Sequence, residues 1–123
     1  GWRDDAQTAE LYARSRALLF PPLEDFGITP LEAMAAGRPV IAFGEGGARE
    51  TVVPPGGGEP PTGLLFERQT VEDLVDAIRR FEAAAPQFEP KALRRRAEAF
   101  DRPIFRERMH AYLRARVEAS TRC

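Results

Sequence analysis

Along this 123-residue chain the hydrophobic period changes several times, and each change marks an element. Ala17-Leu18-Leu19-Phe20 is a continuous apolar run stopped by Pro21-Pro22, and Pro39-Val40-Ile41-Ala42-Phe43 is a second. Runs this short, without polar alternation, predict strands buried on both faces, as in a parallel sheet. Thr62-Gly63-Leu64-Leu65-Phe66 predicts a third strand. Between these runs the spacing is helical. Asp4-Asp5 opens a helix that carries Leu11, Tyr12 and Ala13 and ends near Ser15. Leu31, Met34 and Ala35 share one helical face, and Val71, Leu74, Val75, Ile78 and Phe81 follow Thr70 at a clear 3.6-residue period.

Local chemistry sets the boundaries. Thr29 is expected to cap the second helix and Pro30 to take its first position, where a missing N–H costs nothing; Gly37 ends it. Ala48 to Val53 predicts a short helix, and Pro54-Pro55-Gly56-Gly57-Gly58-Glu59-Pro60-Pro61 a surface loop, because proline removes donors and glycine adds backbone entropy. Pro86 and Pro90 bracket a connector to a helix over Lys91 to Phe100, with Leu93, Ala97 and Phe100 inward. Asp101 is expected to cap a last helix whose stripe of Phe105, Met109, Tyr112 and Leu113 reads as core or interdomain packing. The order α-β-α-β-α-β-α-α-α predicts an α/β fold, with a three-stranded parallel sheet flanked by helices. It forms one unit over residues 1–118, followed by a tail at 119–123. So thin a sheet with so apolar an edge calls for partner strands from sequence outside this chain.

Charge and cysteine content narrow the function classes. Eighteen Lys plus Arg against nineteen Asp plus Glu leave a net charge of −1, with no bulk attraction for nucleic acid or an anionic membrane. Arg94-Arg95-Arg96 lies beside Glu89, Glu98 and Asp101 and reads as a solvated, ion-paired helix face. No apolar run approaches the roughly 18 residues of a membrane span. The single cysteine, Cys123, allows neither an internal disulfide nor a thiolate metal site, which fits a reducing cytoplasmic setting. No secretory signal pattern is present, and the chain opens on Gly1 rather than Met. His110 has no sequence-local catalytic partner and reads as structural or exposed.

The candidate chemistry lies between the first two strands. Glu24 belongs to the loop leaving the first strand and Glu32 to the first turn of the following helix, so both carboxylates are expected at the crevice beyond the strand C-termini. Helix and loop N–H groups around Phe26 to Leu31 could hold a diphosphate, Gly27 permits close backbone approach, and carboxylates accept from vicinal sugar hydroxyls. Two carboxylates also suit glycoside hydrolysis, but that chemistry requires an acid of raised pKa beside a sugar-sized gap, and the sequence shows neither. Thr29 and Glu32 also form a capping-box pattern, an alternative duty for Glu32. Gly46-Gly47 serves either a tight turn or a ligand, and Glu50 reads as a first-turn acid favoured by the helix dipole.

The run from Glu24 to Ala42, with its core Glu24-Asp25-Phe26-Gly27-Ile28-Thr29-Pro30-Leu31-Glu32-Ala33-Met34-Ala35-Ala36-Gly37, resembles the signature of glycosyltransferase family 4, retaining transferases of the GT-B fold. Gly46 to Val52 and Thr62 to Phe66 resemble the segments that follow it, in family order, and the likeness covers residues 1–85 most strongly. The resemblance implies the C-terminal half of a Rossmann-like donor domain. By it, Glu24 contacts the transferred sugar, the backbone of Phe26, Gly27 and Ile28 meets sugar or phosphate, Thr29 and its helix hold the diphosphate, Glu32 binds the ribose, and the Gly46-Gly47 loop lies at the donor. It also implies no metal or cofactor, and a nucleotide-diphosphate sugar as donor, GDP-mannose or a UDP-sugar, with a weak likeness to mannosyltransferases. The family's Arg and Lys pair and its acceptor-binding N-terminal domain have no counterpart in these residues, so the chain alone is expected not to turn over. Any peripheral membrane contact is expected only through that absent sequence, and the last helix is expected to cross onto the absent domain. The reading kept beside it is a non-catalytic α/β nucleotide- or partner-binding module; an inert product with an exposed sheet edge is a third.

Overall fold

The structure is a computed structural model that describes residues 1–122; Cys123 and the end of the expected tail lie outside the described residues. Three parallel strands form one sheet in the order β1 (Leu18–Phe20), β2 (Val40–Phe43), β3 (Gly63–Phe66), with Leu18 opposite Val40 and Val40 opposite Gly63. Helices α1 (Asp5–Arg14), α2 (Ile28–Ala35) and α3 (Ala48–Thr51) precede or link the strands, and α4 (Val71–Ala84), a short 3-10 turn (Ala85–Gln87), α5 (Pro90–Glu98) and α6 (Arg102–Thr121) follow. The predicted element order and parallel sheet are found.

The middle strand carries the core. Val40, Ile41 and Ala42 are all buried, and because successive side chains point to opposite faces, β2 is covered on both. Met34 and Ala33 of α2, Leu64 and Phe66 of β3, Ala77 and Phe81 of α4 and Leu93 of α5 complete the cluster. Helix α2 lies on β1 and β2 and is covered in turn by α5, while α4 runs along β3 and reaches β2. Burial differs from expectation at the margins. β1 is an edge strand with Leu19 46% exposed, because β2 pairs with one side of it and no described strand with the other. In α4 the expected stripe is shifted: Val71 (74% exposed) and Val75 face outward, and Ala77 takes the innermost place beside Phe81. Val71 and Val75 lie one turn apart on the same side of the helix, so its apolar face is rotated away from them toward Ala77 and Phe81.

Helix ends show how local chemistry fixes connections. Asp4 caps α1 by accepting from the Gln7 N–H at 2.8 Å, and the Gln7 side chain accepts from the Asp4 N–H. At the end of α2, Gly37 has φ +75, its N–H donates to Met34 O at 2.8 Å, and the Arg38 N–H donates to Ala33 O at 2.9 Å. That double closure requires a left-handed residue, and it turns the chain directly into β2. Helix α3 is a single turn, shorter than expected, because Val52 already has extended backbone. Of the two duties expected for the α6 stripe, packing in this core is not found: Phe105, Met109, Tyr112, Leu113 and Val117 are all exposed, and the helix continues to Thr121, into the stretch assigned to the tail.

Replacing Gly37 tests the α2 closure. A Cβ there would sit 3.1 Å from both Arg94 Nη2 and Pro90 Cβ, on top of the backbone cost of φ +75. Gly37→Ala is expected to destabilise the chain by about 1–2 kcal/mol in urea denaturation; an unchanged midpoint would show that the closure carries no such constraint.

Candidate functional site

Two loops leave the C-terminal ends of β1 and β2 and meet. The first runs from Pro21 to Gly27, the second from Gly44 to Gly47. Their junction is a backbone contact: the Gly47 N–H donates to Glu24 O at 2.8 Å. A Cβ on Gly46 would strike Glu24 O, and one on Gly47 would lie 2.5 Å from Phe26 Cα. Both glycines therefore have a packing reason in this arrangement, since only a residue without a side chain lets the two loops approach so closely. Gly46 also has φ +67. Glu24 contributes its carbonyl to this junction, and its side chain is exposed and without a hydrogen bond or ion pair among the described residues.

The start of α2 corrects the expected cap. Gly27, with φ +79, is the N-cap residue, Ile28 is the first helical residue, and Thr29 and Pro30 follow inside the first turn. Thr29 therefore does not cap, and its pattern with Glu32 is not a capping box. The backbone reason is that Gly27 alone can make the left-handed turn off the loop, which starts the helix two residues earlier than Thr29 would. Among the described residues no side-chain hydrogen bond is made to the N–H groups of this first turn.

Glu32 is held instead by α1. The Tyr12 hydroxyl donates to Glu32 Oε2 at 3.0 Å, across 20 positions of sequence. Burial of the phenol, together with this bond and the nearby negative charge, pushes the Tyr12 pKa up to about 12. The other Glu32 oxygen has no protein partner among the described residues. Glu32 also lines a shallow groove of about 560 Å³ between α2 and α5, shared with Phe26, Ile28, Leu31, Arg94 and Phe100. The ring of Phe26 packs on that of Phe100 at 6.0 Å. The predicted residues thus fall into two neighbouring groups, Glu24 with Gly46 and Gly47 at the loop junction and Phe26, Ile28 and Glu32 along the groove; Gly27 and half-buried Thr29 lie between them on the chain. Glu24 does not line the groove.

Two side chains escaped the sequence reading. Tyr12 gave a signal only of the general kind, a hydroxyl on a half-buried ring that needs an acceptor. Arg96 belongs to the arginine run read as solvated, yet its side chain is only 27% exposed, and it donates to the carbonyls of Thr51 (3.1 Å) and Glu50 at the end of α3. Arg96 faces Glu59 at 3.9 Å rather than Glu89, Glu98 or Asp101. His110 is exposed on α6, as one of the two expected alternatives.

The model of the family described as glycosyl transferases group 1 matches residues 1–100. The chain belongs to this family. Among curated relatives, it is 48% identical over 60 residues to alpha-1,3/1,6-mannosyltransferase ALG2 of Dictyostelium discoideum, covering 49% of the chain and 13% of the relative. It is 38% identical over 97 residues to the GDP-mannose-dependent monoacylated alpha-(1-6)-phosphatidylinositol monomannoside mannosyltransferase of Corynebacterium glutamicum, covering 79% of the chain and 19% of the relative. Among solved structures, sucrose-phosphate synthase of Thermosynechococcus elongatus superposes with a TM-score of 0.76 and 33% identity over 97% of the chain and 30% of that protein. The group 1 chain has the fold of part of a GT-B glycosyltransferase. It spans less than a third of the length of each of these proteins. No helix among its described residues is long and apolar enough to cross a membrane.

The Tyr12 bond has a pH signature. A raised phenol pKa means that the bond contributes fully below the ordinary value of about 10, and that its contribution is lost as pH rises through about 12. Tyrosinate absorbance, with Tyr112→Phe to isolate Tyr12, is expected to show this late titration. Glu32→Gln removes the charge but not the burial and is expected to bring the midpoint part of the way back; a midpoint unmoved by Glu32→Gln would contradict the pairing.

Proposed function

We propose that this chain is the donor-binding part of a retaining family 4 glycosyltransferase, which moves a sugar from a nucleotide-diphosphate sugar to an acceptor. The observation that carries the reading is the loop junction at the ends of two parallel strands, where Glu24 stands unpaired beside a helix start whose N–H groups no side chain satisfies. Open parallel sheets bind ligands at this end. Glu24 orients the transferred sugar. The backbone of Phe26, Gly27 and Ile28 meets sugar or phosphate, and the first turn of α2, Thr29 included, faces the diphosphate. Glu32 offers its free oxygen to the ribose hydroxyls while Tyr12 fixes the other, and Gly46 and Gly47 keep the second loop close enough to close the pocket.

The chemistry follows from placement. Transfer needs the donor's anomeric carbon held beside the acceptor, and the negative charge that grows on the leaving diphosphate held by positive groups and dipoles. This chain supplies the sugar and ribose contacts and one helix N-terminus; the remaining positive charge and the acceptor are the work of the rest of the transferase. The donor is GDP-mannose or a UDP-sugar, and the names of the mannosyltransferase relatives favour GDP-mannose. Residues 1–118 form the unit that docks onto the acceptor-binding domain, with the exposed stripe of α6 as the part that crosses to it. The setting is cytoplasmic.

Two measurements test this reading. The 123-residue chain alone is expected to transfer no sugar from GDP-mannose or a UDP-sugar; turnover that depends on Glu24 would refute the division of labour. In the complete transferase, Glu24→Ala is expected to lower kcat by about a hundredfold or more, in line with loss of one oriented polar contact in the transition state, with an unchanged urea midpoint. Unaltered donor affinity and rate would remove Glu24 from the site.

A further inference from the structure

We propose that Arg96 is a positioning residue, a clamp by which α5 holds both candidate donor loops in register. The proposal rests on the reading of those loops as the donor site. Arg96 projects from the last turn of α5. Its guanidinium donates through Nε to Thr51 O at 3.1 Å and through Nη2 to Glu50 O, and so satisfies carbonyls that the one-turn helix α3 leaves open at its C-terminus. A cation at that end is also favoured by the helix dipole. The remaining nitrogen, Nη1, faces Glu59 of the Pro/Gly loop at 3.9 Å.

The same planar group continues the connection in the other direction. The Arg96 guanidinium lies 5.2 Å from the centre of the Phe100 ring, and Phe100 packs on Phe26 at 6.0 Å. One side chain therefore links the turn that begins at Gly46 and Gly47 with the loop that carries Glu24 and Phe26, and the Gly47 N–H bond to Glu24 O closes the circuit. α3, with four residues, has too few internal hydrogen bonds to hold its own place. A lysine cannot replace the link: it has one point of charge, whereas the guanidinium offers a fork of donors and a flat face.

Hydrogen exchange on the 123-residue chain reads the clamp directly. The Thr51 and Val52 amides bond within α3, and the Gly47 amide bonds to Glu24 without touching Arg96. Arg96→Ala and Arg96→Lys are each expected to lower protection at all three amides by about tenfold, the size of one lost charge-assisted bond. The Val40 amide, bonded to Thr62 O in the core, serves as the control and is expected to keep its protection, as is the urea midpoint in Arg96→Lys. A uniform rise in exchange that includes Val40 would mean that Arg96 contributes only general stability. Full protection at Gly47 in Arg96→Lys would mean that the two loops are not coupled through it. Either result overturns the proposal. Donor binding enters none of these readouts, so failure of the clamp and failure of the donor site in the complete transferase are seen separately.

Discussion

The structure depends on a four-residue strand whose first three residues are buried. β2 is hydrogen-bonded along both edges and covered on both faces, and β1, β3, α2 and α4 are placed against it. A parallel strand on each side obliges the chain to return over the sheet after each strand, so the helices become its cover and the loops leaving β1 and β2 emerge together at one end. The junction at Gly47 and Glu24 is the outcome: two irregular segments with no core of their own, brought to bonding distance because their strands are neighbours.

On the reading proposed above, such a junction holds a polar, flexible donor. Loops set on rigid strands can present backbone N–H groups and carboxylates at fixed positions, while the strands carry the cost of order. Glu32 illustrates the arrangement. Its carboxylate accepts from Tyr12 at one oxygen, and the other has no protein partner among the described residues. The glycine pair does the opposite work of removing bulk. The outlying part of the molecule is α6, whose apolar stripe is exposed, and the chain spans less than a third of its relatives' length.

Much of this was legible in residue pattern alone. Continuous apolar runs give the three strands, since only a strand covered on both faces tolerates Val-Ile-Ala-Phe without alternation. Gly37 gives its helix end because the left-handed turn excludes other residues. Thr29-Pro30 carries the usual marks of a helix start, but the helix begins two residues earlier, at the left-handed backbone of Gly27, a loop conformation that no residue pattern marks. Long-range polar pairs were out of reach. Tyr12 meets Glu32 across 20 positions and Arg96 meets Thr51 across 45, and neither distance leaves a periodic trace. The edge strand and α6 were legible only in part for a related reason, because hydrophobicity says that a face needs cover without saying which chain supplies it.

The central claim is that the loop junction is where the donor sits. A crystal structure of the complete transferase with bound GDP-mannose tests it most directly. The account predicts the sugar hydroxyls within hydrogen-bond reach of Glu24, the diphosphate against the backbone of residues 26–31 and the ribose at the free oxygen of Glu32. A nucleotide-sugar bound elsewhere, with the Glu24 carboxylate still in open solvent, would contradict it.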